Sequence, residues 1–423
     1  MVIGEGDETI LELIETIAKG ADVKQVAGIA YRDGEQVTLT APRSPLGQFD
    51  TIPNFSLIEG YPMMNSLNIL LQRKKPWVTV QSSRGCRYNC SFCIVNTMFP
   101  NGYRIRNIES VICDLRDKRK YGKDLMFVDN EFTAYPSHTK KLLRRMIKEK
   151  FDFNIFVFAR VGVVNDDELL SLMRRAGVGY IYQGYESILT ENLKFFNKGQ
   201  TYTQIIKAIE KLHSFGFSIM GSFILGAESD SLQSIRATAD FVVERKLASA
   251  TFFTLWGHFP EKSKGYETII PWYRSIFLGW RYCNGHFVTH FPLKIPPSIL
   301  QREIPKIYRK IYSPKQVLRA FKNGKFREAR HKILLRYLWH FIEKEIEAYI
   351  PFLEEIEDGL YDSNGNLCEE LLIQRVKKNP RWTFLYGNQT IQALGLTPPE
   401  FPFLEKHDII CHPRKKDSSL PSS

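Results

Sequence analysis

Three cysteines constrain this chain more than any other feature. In Cys86-Arg87-Tyr88-Asn89-Cys90-Ser91-Phe92-Cys93, three residues separate the first two thiols and two separate the next. Thiolates this close can surround one metal centre. A tetrahedral zinc site needs a fourth ligand, for which Cys113 or a histidine would serve. An iron–sulfur cluster takes cysteine thiolates as its normal ligands, and three can hold it with one iron left open to a small molecule. Buried, unligated thiols are the remaining reading. The run follows an apolar segment, Trp77 to Val80, and then Gln81-Ser82-Ser83-Arg84-Gly85. It therefore reads as a loop at the C-terminal end of a strand, the end that carries chemistry in barrels.

The seven cysteines are odd in number with three clustered, and no signal peptide is read before them. That suits a reducing cytoplasm and a metal site better than a disulfide framework. No apolar run approaches the roughly 20 residues of a spanning helix, so the expectation is a cytoplasmic protein, with peripheral membrane contact as an option. A formal net charge of +12 fits a generally basic surface, an anionic membrane, an RNA or an acidic substrate. Charge alone does not choose among them.

From the N-terminus, residues 1–9 read as the end of a strand, a glycine turn and a helix start capped by Asp7. Ile10, Leu13, Ile14 and Ile17 then recur at helical spacing. Val26 to Arg32 and Gln36 to Thr40 form a hairpin turning at Asp33-Gly34, and the opening strand has no sheet to join. Residues 41–75 read as a proline-marked linker. Strands at Trp77–Gln81, Asp124–Val128, Asn154–Phe158, Gly179–Gly184, Ser218–Leu225 and Ala250–Leu255 then alternate with helices near Ile108–Tyr121, His138–Lys150, Asp167–Ala176, Thr203–Phe215 and Ser231–Arg245. Asp166 and Thr203 are candidate N-caps, and Gly177 and Gly216 candidate stops. Such alternation predicts an α/β fold with a parallel sheet and right-handed crossovers. Residues 259–423 are aromatic and basic, regain helical periodicity at Ile333 to Ile342, and end in a tail that reads as disordered from Lys415.

With Phe92 before the last cysteine, the triplet resembles the signature of the radical S-adenosylmethionine (radical SAM) enzymes. In that family three cysteines hold a 4Fe-4S cluster and SAM chelates the fourth iron. The resemblance implies a partial six-stranded (β/α) barrel over residues 76–258, with Cys86, Cys90 and Cys93 as cluster ligands. A helical accessory region, 259–423, would follow. The opening residues 1–75 are similar to the last βα unit, with hairpin and linker, of the cobalamin-binding domain that precedes many members. That domain's D-x-H-x-x-G motif is matched by none of the nine histidines, so cobalamin is not assigned.

The same resemblance implies a cofactor-binding set. Phe127-Val128-Asp129-Asn130-Glu131-Phe132 is comparable to the segment that meets the SAM amine, with Asp129 and Asn130 favoured over Glu131. Arg160, closing the third strand, would face the active site. Gln183-Gly184-Tyr185-Glu186-Ser187 is similar to the family's G-x-E-S, so Glu186 and Ser187 would meet ribose or amine. The following Leu193 to Gly199 is close to L-x-x-x-x-K-G. Gly221, Ile224 and Gly226 would pack the adenine, and Phe92 would sit by the cluster. The loop from Trp256 to Glu261 departs from the family's proline-glycine-threonine and leaves the substrate open. Cys283 reads as a buried structural thiol or a radical-quenching one, and Cys113 as packing. Cys368 and Cys411 carry no pattern.

The expected activity is reductive cleavage of SAM to a 5′-deoxyadenosyl radical. That radical would act on an unactivated carbon of a small-molecule or lipid-like substrate, giving methylation, cyclisation or rearrangement. The electron would come from a donor such as flavodoxin or ferredoxin. The rivals are an RNA-modifying methylthiotransferase, with nucleic acid as the less favoured partner, and a non-catalytic remnant acting as a binding protein.

Overall fold

The computed structural model describes residues 1–34, 36–58, 77–99, 102–256, 269–276 and 282–378. The chain gathers into two compact units: residues 1–253 with 305–342, and residues 254–304 with 343–423. Residues 305–342 thus group with the barrel, where the sequence placed them in the C-terminal region. Parts of the expected linker (59–75), the loop residues Gly257 to Glu261, Trp280, Cys411 and the tail from Lys415 lie outside the described residues.

The first unit opens with helix α1 (Gly6–Ala18) and the hairpin β1 (Ala30–Asp33) and β2 (Gln36–Leu39). Asp33 faces Gln36 across the turn, so the hairpin closes one residue later than Asp33-Gly34 implied. The opening strand is not stranded: Val2 bridges Ile29 in antiparallel sense. Asp7 does not cap α1, whose N-cap is Glu5 with no side-chain bond to the helix amides. Its carboxylate instead takes both terminal nitrogens of Arg84, 2.9 Å each.

The sheet strands are β3 (Val78–Val80), β6 (Asp124–Phe127), β7 (Asn154–Phe158), β8 (Val178–Glu186), β9 (Ser218–Leu225) and β10 (Ser249–Thr254). The short β4 (Ser83–Arg84) and β5 (Arg104–Ile105) pair separately. Their spatial order is β10-β9-β8-β7-β6-β3, and the pairs from β3 to β9 are parallel. Strand order that follows chain order is what repeated right-handed βα units produce. The expected partial six-stranded barrel is the observed sheet, and its core side chains, among them Leu125, Ile155, Val157, Ile181, Ile219 and Phe223, are wholly buried.

Short helix α2 (Val95–Met98) follows the cysteines, then α3 (Ile108–Lys118), α4 (Pro136–Lys148) and α5 (Asp167–Arg175). Next come α6 (Thr190–Phe195), α7 (Tyr202–Ser214) and α8 (Leu232–Glu244). Asp166 caps α5 through the amide of Leu169. The cap of α7 is Thr201, not Thr203, because Gln204 returns a bond to the Thr201 amide and completes a capping box. Gly177 stops α5 at φ +100°, and a Cβ there would drive into the carbonyl oxygen of Phe153. Cys113 lies on the exposed side of α3 rather than packing.

An ionic knot ties residues 50–53 to α3. Arg106 and Asp114 are 2.8 Å apart, Lys118 is 3.3 Å from the same carboxylate, and all three are buried. Arg106 and Lys118 also donate to the carbonyls of Asp50, Thr51 and Pro53. Removing one partner of such a group strands buried charge. Asp114→Ala is therefore expected to lower unfolding free energy by about 3–5 kcal/mol, read by denaturant titration.

Four helices follow: α9 (Pro297–Ile311), α10 (Pro314–Lys322), α11 (Phe326–Glu357) and α12 (Glu369–Lys378). In the second unit Tyr349 stacks on Tyr282 at 5.0 Å and meets Phe287 edge-on at 5.3 Å. The buried Arg274 donates to the Phe291 carbonyl at 2.8 Å. Among the described residues, no helix is long and apolar enough to cross a membrane.

Candidate active site at the strand C-terminal ends

The cysteine loop leaves β3 through Gln81-Ser82 and is pinned from three directions. Gly85 turns it at φ +82°, where any Cβ would collide with the Gly102 carbonyl. Below it, the Asp129 carboxylate beyond β6 accepts from the Ser82 amide at 3.0 Å and the Ser82 hydroxyl at 2.7 Å, and from the Ser83 hydroxyl. Beside it, the turn after α6 supplies main-chain acceptors. The Ser91 amide donates to Phe196 O (3.0 Å), the Ser91 hydroxyl to Phe195 O (2.9 Å), and Asn197 Nδ2 donates to Asn89 O (2.8 Å). Arg87 completes the clamp on the Ala134 carbonyl at 2.9 Å.

Cys90 is buried while Cys86 and Cys93 are half-buried. Burial pushes the thiols of Cys86 and Cys93 up from their ordinary value. Arg160, just past β7, sends Nη1 to Cys90 Sγ at 3.4 Å, and its guanidinium lies 3.8 Å from the centroid of the Tyr88 ring. Its backbone amide donates to Glu131 at 2.7 Å, and Nη2 donates to the Lys198 carbonyl. Phe92 meets Phe196 edge-on at 5.3 Å, with Lys198 Nζ 5.6 Å from its centroid. Glu186 ends β8 at φ +63°, an uncommon conformation for a residue with a side chain. Its carboxylate pairs with Lys198 Nζ at 2.7 Å, both side chains buried.

The other expected residues fall around this rim. Asn130 is exposed, while Asp129 is buried with its oxygens engaged by the serines. Glu131 is spent on Thr133 and Arg160. Ser187 Oγ accepts from the Leu189 amide and the Asn192 side chain. Gly226 donates its amide to the buried Asp230 at 2.9 Å beside the buried Ile224. Gly221 differs from its expected part: a Cβ there would meet side chains of Leu247, Phe223 and Tyr185, so its bareness serves core packing. Sequence reasoning named Lys198 only within a motif and passed over Ser82, Ser83 and Tyr88. The partners of Ser82, Ser83 and Tyr88 lie 46 or more residues away, and no local spacing signals them.

Burial raises the Asp129 carboxyl to about 6. A raised folded value means its contribution to stability is full below about pH 4 and is lost as pH rises through about 6. The unfolding free energy of the wild type relative to Asp129→Asn should fall by about 3 kcal/mol between pH 4 and pH 8. Paired denaturant titrations of the apo-proteins read this.

The donor set discriminates among metal centres. Among the described residues, no three His, Cys, Asp or Glu side chains are grouped to hold a single metal ion. A four-iron cluster places each thiolate on a different iron, and one partly buried loop carrying three thiols fits it. Residues 80–242, which contain the cysteine loop and the strand ends β6 to β9, match the Radical SAM superfamily. That segment is a radical SAM domain. Such a domain implies a 4Fe-4S cluster and SAM.

The chain is 28% identical, over 74% of its length, to an uncharacterized methyltransferase of Pyrococcus horikoshii. It is 26% identical, over 64%, to the bacteriochlorophyllide d C-12(1)-methyltransferase of Chlorobaculum tepidum. It spans 66% and 57% of those proteins. Its fold is similar to that of the radical SAM methyltransferase TsrM from Kitasatospora setae, solved with cobalamin and a 4Fe-4S cluster. The TM-score is 0.50 at 19% identity, over 60% of this chain and 50% of that one.

Proposed function

We propose that this chain is the core of an enzyme that cleaves SAM reductively and directs the 5′-deoxyadenosyl radical to an unactivated carbon, with methyl transfer as the favoured outcome. The carrying observation is that Cys86, Cys90 and Cys93 share one pinned, partly buried loop at the strand C-terminal ends, with Arg160 donating to the Cys90 sulfur. Bound there, a 4Fe-4S cluster supplies one electron and an open iron for the amino and carboxylate groups of SAM.

The chain's own residues prepare that place. Arg160 offers a charged hydrogen bond to sulfur, which stabilises thiolate and tunes its electronics. The Phe92–Phe196 pair excludes water from the same side. In this reading Asn130 meets the SAM amine, since Asp129 is committed to Ser82 and Ser83. Glu186, steered by Lys198, and Ser187 line the ribose side, and Ile224 and Gly226 offer an apolar edge to adenine.

A small-molecule or lipid-like substrate fits the relatives, one of which is named for methylating a bacteriochlorophyllide. The electron would come from a flavodoxin- or ferredoxin-type donor. Residues 1–58 supply no histidine for a base-off cobalamin, so the residues present do not fit that group and no cobalamin step is derived. The test is anaerobic reconstitution with iron and sulfide, reduction, and assay of 5′-deoxyadenosine from SAM. Its formation supports the reading; stoichiometric zinc with no iron uptake overturns it.

A further inference from the structure

A second concavity lies at the opposite end of the strands. A cavity of about 430 Å³ is lined by Asp124 and Ser249, which open β6 and β10, and by Phe156, Tyr180 and Met220, each the third residue of its strand. Trp77, just before β3, completes that wall, and the first turns of α11 roof it with Leu334 and Tyr337. All these residues belong to the first unit. Along β8, Tyr180 and Glu186 are six residues apart, about 20 Å at the rise of an extended strand. The cavity is therefore separate from the cysteine site. Barrel chemistry does not use this end, and nothing in the reaction proposed above requires a void here.

The wall chemistry is selective. Aromatic and aliphatic groups dominate it, and its size falls in the range of small-molecule sites. Trp77 stands edge-on to Phe156 at 6.0 Å, presenting flat faces rather than a closed plug. Its charges are settled with one exception. Arg327 is bonded to Asp124 and lies over the Tyr180 ring at 5.2 Å. Glu328 is balanced by Lys325 at 3.5 Å and Lys332 at 3.6 Å. Arg330 lines the cavity with no carboxylate partner among the described residues. Among the described residues each acid has its cation, and one guanidinium is left over.

We infer that this cavity is a binding site for a planar apolar anion. Its ring system would lie among Trp77, Phe156, Tyr180 and Tyr337, where offset and edge-on ring contacts are favourable, and its single anionic group would face Arg330, whose planar fork suits an oxyanion. The site is independent of whether the cysteine loop holds a cluster.

The experiment is equilibrium dialysis of the reconstituted full chain against 1-anilinonaphthalene-8-sulfonate, a planar apolar anion. N-phenyl-1-naphthylamine, the same ring body without the sulfonate, runs in parallel. Expected is one saturable site per chain for the anion. Arg330→Glu should weaken the anion by about tenfold or more and leave the neutral probe within about twofold. Leu334→Trp, which fills the cavity from its roof, should remove both. Arg330 is exposed, so its variant should fold and keep wild-type SAM cleavage, which makes its result decisive if Leu334→Trp misfolds. Absence of saturable binding, binding indifferent to Arg330→Glu, or displacement of the anion by SAM would each overturn the inference.

Discussion

Replacing Cys90 with alanine should abolish 5′-deoxyadenosine formation, by at least ~10³-fold, equivalent to about 4 kcal/mol or more of barrier. Cys90 is the buried thiol of the three and the one Arg160 touches. The variant gives up one ligand and leaves the guanidinium without its sulfur acceptor. Iron after reconstitution should drop from about four per chain, the content of the cluster type, and the visible absorption of the cluster should go with it. Folding should survive, since a thiol-to-methyl change in a core is a modest cavity costing about 1 kcal/mol. Cys113→Ala is the matched control, on the exposed side of α3. It should keep both iron and activity. A loss of metal in Cys113→Ala would return the site to the zinc reading.

Glu186→Ala should be the most destabilising change at the site, by about 3–5 kcal/mol, because Lys198 would stay buried without its counter-charge. For a unit of this size that corresponds to a fall in Tm of about 10 °C. Combining it with Lys198→Met should recover more than half of the loss, since the pair then leaves together; a double variant no better than the single would deny the coupling. The same variants separate two duties of the carboxylate. If Glu186 only closes the ion pair, the double variant regains SAM cleavage along with stability. If it also meets the ribose, stability returns while the KM for SAM stays raised.

Much of the barrel was legible because its signals are local. Alternating apolar runs bounded by Gly177 and Gly216 placed five of the six strands within one residue at each end. The exception is the far end of β8, which runs on to Glu186 through a register slip after Gly184. The cap of α7 was misplaced although Thr201 and Gln204 hold the capping-box spacing; the helical period of the apolar residues did not by itself choose between two threonines. Asp7 looked like a cap because it precedes a helical pattern, but Arg84, 77 residues on, outcompetes the helix amides. The site shows the same division. The cysteines, Arg160 and Glu186 could be named from the chain, whereas the bonds of Asp129 to Ser82 and of Arg160 to Cys90 are properties of strand order. The cavity at the strands' other end was invisible for that reason: Trp77 and Tyr337 are 260 positions apart and meet only through the sheet.

The cysteine loop takes its shape from carbonyls more than 100 residues downstream, at Phe195 and Phe196. Those acceptors exist only once β8 is in the sheet and α6 has wound behind it. As the chain emerges during synthesis, its first 190 residues can therefore present the three thiols but not their arrangement. Contacts of this sequence separation form late. In small zinc modules, metal binding itself drives the chain to fold. Here the loop's shape is held by the sheet and by the turn after α6, through bonds that involve no metal.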